Sequence, residues 1–318
     1  MAQVSGTQST YDIVGMREDL ADAIYRISPE DTPFMSAIGT GSASSNTTHE
    51  WQTDSLAAAV GTNFHIEGNE SAYTTPAATT RLGNPLAIAK KSALVSGTHM
   101  AVSLAGRGDP MAYEIGKRMA EIKLDMDTAL MQDNAAVTGD DTTAREFGGL
   151  VSWLQTNTSF GTNGVDPVYT SQPTDTRSGG TARAFTETIL KAVLLSCYDE
   201  GASPTMLIMP SAQKQVASAF AGIAAQRSPV TNAHEVTIAG AADFYVSDFG
   251  EIAFVPSRQA PTGSALAVDP EYAAVSYLRP FVVEDRAKTG DANKKEIIVE
   301  YTLECKNEAA HGGAFDLS

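Results

Sequence analysis

The sequence predicts an α+β chain in which helices and strands are largely segregated along the chain. Three observations predict it. Between residues 109 and 135 the apolar side chains Met111, Ile115, Met119, Ile122, Met126, Ala129 and Leu130 recur at steps of three and four, the period of a helix. Strand-like runs at 49–53, 80–98 and 294–306 lie on either side of that helix in the chain. Only residues 186–283 mix helical and strand patterns at short spacing, as a compact α/β lobe does.

Composition sets the outer limits. At 318 residues, 42% hydrophobic and 19% charged, the chain has enough apolar material for a core and is long enough to divide it between two lobes. With 38 acidic against 22 basic residues its net charge is −16, which argues against gripping a phosphate backbone by bulk attraction. Residues 1–10 lack the basic and apolar regions of a signal peptide, and no apolar run is long enough to span a bilayer, so a cytosolic protein with no membrane partner is expected. Two cysteines, Cys197 in a helical pattern and Cys305 in a strand pattern, are too few for a disulfide framework or zinc cluster and read as buried apolar residues.

In chain order, Met16, Leu20, Ala23, Ile24 and Ile27 form a short amphipathic stripe that ends near Ser28, because Pro29 disfavours helix in the residue before it. Ser28 and Asp31 resemble a capping pair, followed by Pro33, Phe34 and Met35. An apolar terminal segment of this kind docks on its own body or on a neighbour, and residues 1–38 are expected to be dispensable for the fold of the rest. Residues 40–75 are rich in Gly, Ser, Thr, Asn and Ala, with a strand around Trp51 and a weakly structured middle from Ser55 to Glu70. Together with the run at 80–98 they predict a long two-stranded ribbon, which is marginal alone and reasonable if it lies across another subunit.

The helix that follows opens with Asp109 as N-cap and Pro110 in its first position, and nothing breaks it before Gly139. Over 109–135 it would reach roughly 39 Å. Pairs four apart, Glu114 with Arg118 and Lys123 with Asp127, are expected on its solvated face. Residues 137–183 read as loops with one packed element near Leu150 and Trp153. The last run sets Ile297, Val299, Tyr301 and Leu303 against Glu296, Ile298, Glu300, Thr302 and Glu304, a half-exposed strand that returns to the sheet beside the long helix.

Little of the chain spells chemistry. The five histidines stand singly, without metal-site spacing, and Asp125 and Asp127 lie on different faces of the helix. There is no Gly-x-Ser-x-Gly elbow and no phosphate loop, and Gly39 with Gly41 or Gly106 with Gly108 give only half of a dinucleotide fingerprint. Arg107-Gly108-Asp109 spells an adhesion tripeptide, yet the glycines release the chain from the ribbon and Asp109 caps the helix. No catalytic residue, cofactor or metal site is assigned.

An adherent arm, a ribbon, a long helix, a separate lobe and a returning strand are odd parts for an enzyme. They resemble the parts of the major capsid proteins of tailed bacteriophages with the Hong Kong 97-type fold. The stretches Arg17-Glu18-Asp19-Leu20 and 27–34 (with Pro33 and Phe34) are similar to the N-terminal signature of one branch. So are Arg81 to Asn84, Lys91, residues 95–98 and Ala105-Gly106-Arg107 before the helix, then Gly148-Gly149-Leu150, residues 245–250 ending in Phe249-Gly250, Leu278-Arg279-Pro280, and Glu300 to Leu303. The resemblance covers nearly the whole chain in order. It implies an N-arm (1–45), an E-loop ribbon (46–105), a P-domain (106–185) with its spine helix at 109–135, an A-domain (186–285) and a return strand of the P-domain (286–318).

The function it implies is self-assembly into the icosahedral head of a double-stranded DNA phage, as pentamers and hexamers that enclose the genome without specific binding. Portal, scaffolding and decoration proteins are the further partner classes, and the virion capsid, assembled in the host bacterial cytoplasm, is the location. Residues expected to carry assembly or structure are Arg17, Leu20, Pro33, Phe34, Trp51, Lys91, Arg107, Asp109, Ile115, Ile122, Met126, Phe249, Arg279 and Glu300. Some relatives cross-link the E-loop through a Lys–Asn isopeptide; Lys90 and Lys91 are present, but the sequence identifies no partner for them, and no cross-link is assigned. The alternatives are an encapsulin-like nanocompartment shell, or an α/β ligand-binding lobe at 186–283 on an oligomerisation frame.

Overall fold

A computed structural model describes residues 27–70, 73, 75–106, 108–220 and 244–318. Arg17, Leu20 and Arg107 lie outside the described residues, as do positions 16–26 of the expected arm helix. The elements in order are α1 (Pro33–Ile38), β1 (Thr48–Thr53), β2 (Thr80–Pro85), β3 (Ala87–Ser96), α2 (Gly97–Ala101), α3 (Pro110–Met131) and α4 (Leu150–Trp153). There follow β4 (Thr158–Ser159), α5 (Glu187–Asp199), β5 (Met206–Met209), α6 (Ser211–Ala217), β6 (Phe244–Ser247), β7 (Gly250–Pro256), β8 (Ala265–Val268), β9 (Ala273–Asp285), β10 (Ala292–Cys305) and β11 (Gly312–Ala314).

The spine helix α3 begins as its sequence predicts. Asp109 accepts a hydrogen bond from the Met111 N–H at 2.8 Å, and Pro110 occupies the first turn, where no donor is needed. It ends at Met131 rather than 135, giving about 33 Å. The reason is tertiary. Gln132 turns out at ψ 168°, Asp133 accepts the Arg177 N–H, and the Asn134 carbonyl accepts from Gly149 N and Ser152 Oγ. Gly149 sits against the helix end, where a Cβ would collide with the Gln132 carbonyl oxygen.

The described residues form three sheets, and the spine packs on β3 and β10 of one of them. β1 pairs antiparallel with β2, β3 with β10 and β10 with β9, and a six-stranded sheet runs β4-β11-β8-β5-β7-β6. The long ribbon expected from the runs at 49–53 and 80–98 is therefore shorter and divided. β1 and β2 pair only over six residues, and after Pro85 the chain crosses to a different sheet, where β3 finds β10. At Ser96 the expected turn is instead the N-cap of α2.

The six-stranded sheet separates two cores, and period-two alternation assigns its side chains to each. Ile208, Leu266 and Val268 face the core that also holds Phe34, Ile122, Met126, Leu130, Trp153, Val299 and Leu303. Leu207, Met209, Ala265 and Ala267 face a second core with Leu190, Val193, Leu194, Cys197, Tyr245 and Phe254. Both cysteines are buried and free.

Two expectations fail for one reason, that a second layer covers what looked like an outer face. From Ile297 to Cys305, β10 is buried on both faces, because it is the central strand of its sheet and Glu300, Thr302 and Glu304 lie under other parts of the chain. Asp127 is likewise fully buried instead of paired with Lys123 on a solvated face, because α1 lies across it. Arg118 pairs with Glu121, three residues on, rather than with Glu114. Residues 1–38 also prove too broad a dispensable arm, since Phe34 and Ile38 are core residues at 0% and 6% exposure.

Candidate functional site

Of the residues flagged from sequence, the base of the ribbon holds Trp51, and the others lie elsewhere or outside the described residues. Trp51 on β1 meets Trp153 of α4 at 5.3 Å between ring centroids, and Trp153 meets Tyr169 edge-on at 5.0 Å. The Tyr169 hydroxyl donates to the Trp153 carbonyl at 2.7 Å, and burial pushes its pKa upward. Two residue pairs along, Asn84 of β2 is fully buried and donates to the carbonyls of Gly148 and Leu303 at 3.0 and 2.8 Å. The ribbon is thus sewn at its root to the loop before α4 and to β10.

Beside it, His49, Ser276 and Glu304 form a buried cluster. His49 Nε2 lies 3.2 Å from Glu304 Oε2, and Ser276 Oγ donates to that same oxygen at 3.0 Å. The His49 hydrogen bond, and then that from Ser276, hold the Glu304 carboxyl below its ordinary pKa. The residue types match an acyl-transfer triad, but the geometry does not. In a triad the imidazole uses one nitrogen for the nucleophile and the other for the acid; here Ser276 and Glu304 both meet Nε2 and the serine points its hydrogen at the carboxylate. Gly41 closes over the cluster, where a Cβ would lie 2.6 Å from Glu304 Oε2.

Glu300 and Arg279, both singled out from sequence, meet through Arg279 Nε at 2.8 Å. Arg145, from the loop after the spine, takes the other carboxylate oxygen. Glu300 sits at an irregularity in the β9–β10 register. Sequence reasoning missed Arg145, which no periodicity marks. Lys91 of β3 bonds Asp125 of the spine at 2.7 Å and ties sheet to helix. Ile115 is partly buried on the spine, Ile122 and Met126 fully so, and Pro33 opens α1, which plants Phe34 in the core.

What remains is surface. Leu56, Val60, Phe64, Ile66 and Tyr73, all between the ribbon strands, are 67–99% exposed. Such a concentration of bare apolar side chains marks an interaction surface. Phe249, in the β6–β7 turn, stacks on Tyr198 of α5 at 4.5 Å, with both rings partly in solvent. Next to it Phe244 and Val246 stand exposed on β6, an edge strand. A cleft of about 490 Å³ lies between the start of the spine and the β9–β10 tip, rimmed by Arg286, Lys288, Lys294 and Lys295 over Met100 and Met111. Among the described residues no group of His, Cys, Asp or Glu is arranged to hold a metal, and no helix is long and apolar enough to cross a membrane.

The family model described as SU10 major capsid protein matches residues 3–318. The major capsid protein of Escherichia phage Phieco32 is 35% identical over 126 residues, 40% of this chain and 36% of that protein, so the match spans about a third of that relative. The capsid of cyanophage A-1(L) superposes with a TM-score of 0.66 at 14% identity over 97% of this chain and 98% of that one. The capsid of a native GTA particle does so with 0.61 at 11% identity over the whole of both chains. The SrpI encapsulin of Synechococcus elongatus PCC 7942 shares the fold more distantly, with 0.54 at 10% identity over 96% and 93%. Matched by the family model over nearly its full length and folded as these shells are, the chain belongs to the SU10 major capsid protein family and has the Hong Kong 97-type capsid fold.

Proposed function

We propose that this chain is the subunit from which a tailed double-stranded DNA phage builds its icosahedral head, assembling as pentamers and hexamers in the host cytoplasm. The observation that carries the reading is the segment between β1 and β2. Its apolar side chains lie bare in the isolated subunit, while its root is fixed by Asn84 and Trp51. A rigidly rooted segment with an exposed apolar row gains its burial free energy from a neighbour, at about 25 cal/mol per Å² covered.

On this reading the E-loop lies over an adjacent subunit, and the exposed Phe249–Tyr198 stack and the β6 edge meet symmetry mates around the capsomer axis. Each contact is modest and many act together, which keeps assembly reversible until the shell closes. The subunit is structural, with no catalytic role. The net charge of −16 suits an inner wall that encloses DNA without binding it. Portal, scaffolding and decoration proteins are the further partners.

Replacing residues 55–78 with a short Gly-Ser turn tests the carrying observation. The expected result is a monomeric subunit with an unchanged circular dichroism spectrum that forms no closed particles in the electron microscope. Normal yields of closed shells from that variant would overturn the assignment.

A further inference from the structure

We propose that Asp127 is a proton-dependent clasp that fastens the arm helix α1 to the spine helix α3. The Met35 N–H donates to Asp127 Oδ1 at 2.8 Å across 92 residues of sequence, and the Phe34 N–H is turned to the same carboxylate. Thr32, the N-cap of α1, makes no side-chain capping bond to the helix N–H groups. The free donors at the start of the arm helix are thus satisfied by a residue of the spine. Asp127 is fully buried, next to the core residue Met126 and one turn before the core residues Leu130 and Met131.

Among the described residues no compensating charge reaches it. Lys91, on the strand packed against the spine, is bonded to Asp125, and Lys123 on the spine itself is exposed. Tyr277 and Tyr301 of the sheet beneath are phenols whose pKa burial raises, and Glu271, beside α1, is exposed. None of these acts on Asp127. Burial pushes its carboxyl up to about 6, partly opposed by the two N–H groups.

The sign follows. An undocked arm leaves Asp127 in water with an ordinary carboxyl, so docking takes up a proton between about pH 4 and pH 6. The clasp is therefore tight when neutral and loose when charged. Above about pH 6 the docked arm is held less tightly, and acidification strengthens its hold on the spine. The clasp is a property of the single subunit; only its consequence for assembly rests on the capsid reading.

Amide hydrogen exchange on the full chain, corrected for intrinsic rates, tests it in residues 36–38 at about pH 5 and about pH 7.5. The wild type is expected to be about tenfold better protected at the lower pH. Asp127→Asn, which keeps an acceptor and loses the titration, should show equal protection at both. Amides of α5 should gain no protection at the lower pH in either protein. Equal protection of the wild type at the two pH values, an undiminished pH response in Asp127→Asn, or a parallel change in α5 would each overturn the proposal. The wild-type series decides it even if the variant fails to fold. Whether shells form does not enter the readout, so failure of the clasp and failure of the capsid reading are separable.

Discussion

Asn84 and Gly148, 64 residues apart, exchange two hydrogen bonds: the Asn84 side-chain amide donates to the Gly148 carbonyl at 3.0 Å, and the Gly148 N–H donates to Asn84 Oδ1 at 2.8 Å. With its further bond to the Leu303 carbonyl, this one amide joins ribbon, loop and central strand. Asn84→Ala strands a buried N–H and two buried carbonyls, and should destabilise the subunit by about 3 kcal/mol in urea denaturation. Asn84→Asp should do no better near neutral pH, because it sets a carboxylate oxygen against the carbonyls of Gly148 and Leu303. Wild-type stability in either variant would show that the root of the ribbon is not held here.

The arm divides between two jobs, and truncation separates them. Removing residues 1–30 leaves Phe34, Ile38 and the α1 contact with Asp127 in place, so a folded subunit is expected, with impaired shell closure. Removing residues 1–38 takes Phe34 and Ile38 out of the core and should cost a further several kcal/mol, roughly the sum of two large core deletions. Thermal melts of the two truncations check it. Equal melting temperatures would contradict the core role of α1.

His311 is fully buried, its Nδ1 accepting from the Asp269 N–H at 3.3 Å, and burial lowers its pKa to about 4. Its folded-state pKa lies below the unfolded value, so the unfolded chain binds the proton first, and stability falls as pH drops from about 6.5 to about 4, by about 3 kcal/mol at the acid end. Asp127 acts with the opposite sign between about 4 and about 6, since its folded-state pKa is raised. The two largely cancel in the wild type. Stability measured against pH should therefore fall more steeply on acidification in Asp127→Asn than in the wild type, and less steeply in His311→Asn. Parallel curves for all three proteins would refute both assignments.

Which parts were legible in the sequence follows from the range of the interactions. The spine announced itself through a local cap at Asp109-Pro110 and an apolar stripe over six turns, and α5 through Thr186 and its own stripe. Contacts formed across the chain left no such pattern. Asp127 looked like a surface acid because it stands four residues after Lys123, although Leu124, Leu130 and Met131 share its side of the helix and the arm crosses over it. Thr302 and Glu304 looked solvent-facing by alternation, although β10 is covered on both sides. Arg177 sits in a polar loop with nothing to mark it, yet it bonds Asp166 and Asp316 and lies over the rings of Phe160 and Phe315. Of the candidate residues, Arg279 and Glu300 are brought into contact, Trp51 joins the aromatic cluster at the ribbon root, and Phe249 remains at the surface.

Electron microscopy of the purified full-length chain, expressed alone and with candidate scaffolding partners, tests the central claim most directly. The account predicts closed, uniform particles tens of nanometres across, with pentamers and hexamers resolved in the averaged shell. Monodisperse monomers or dimers under every assembly condition would contradict it.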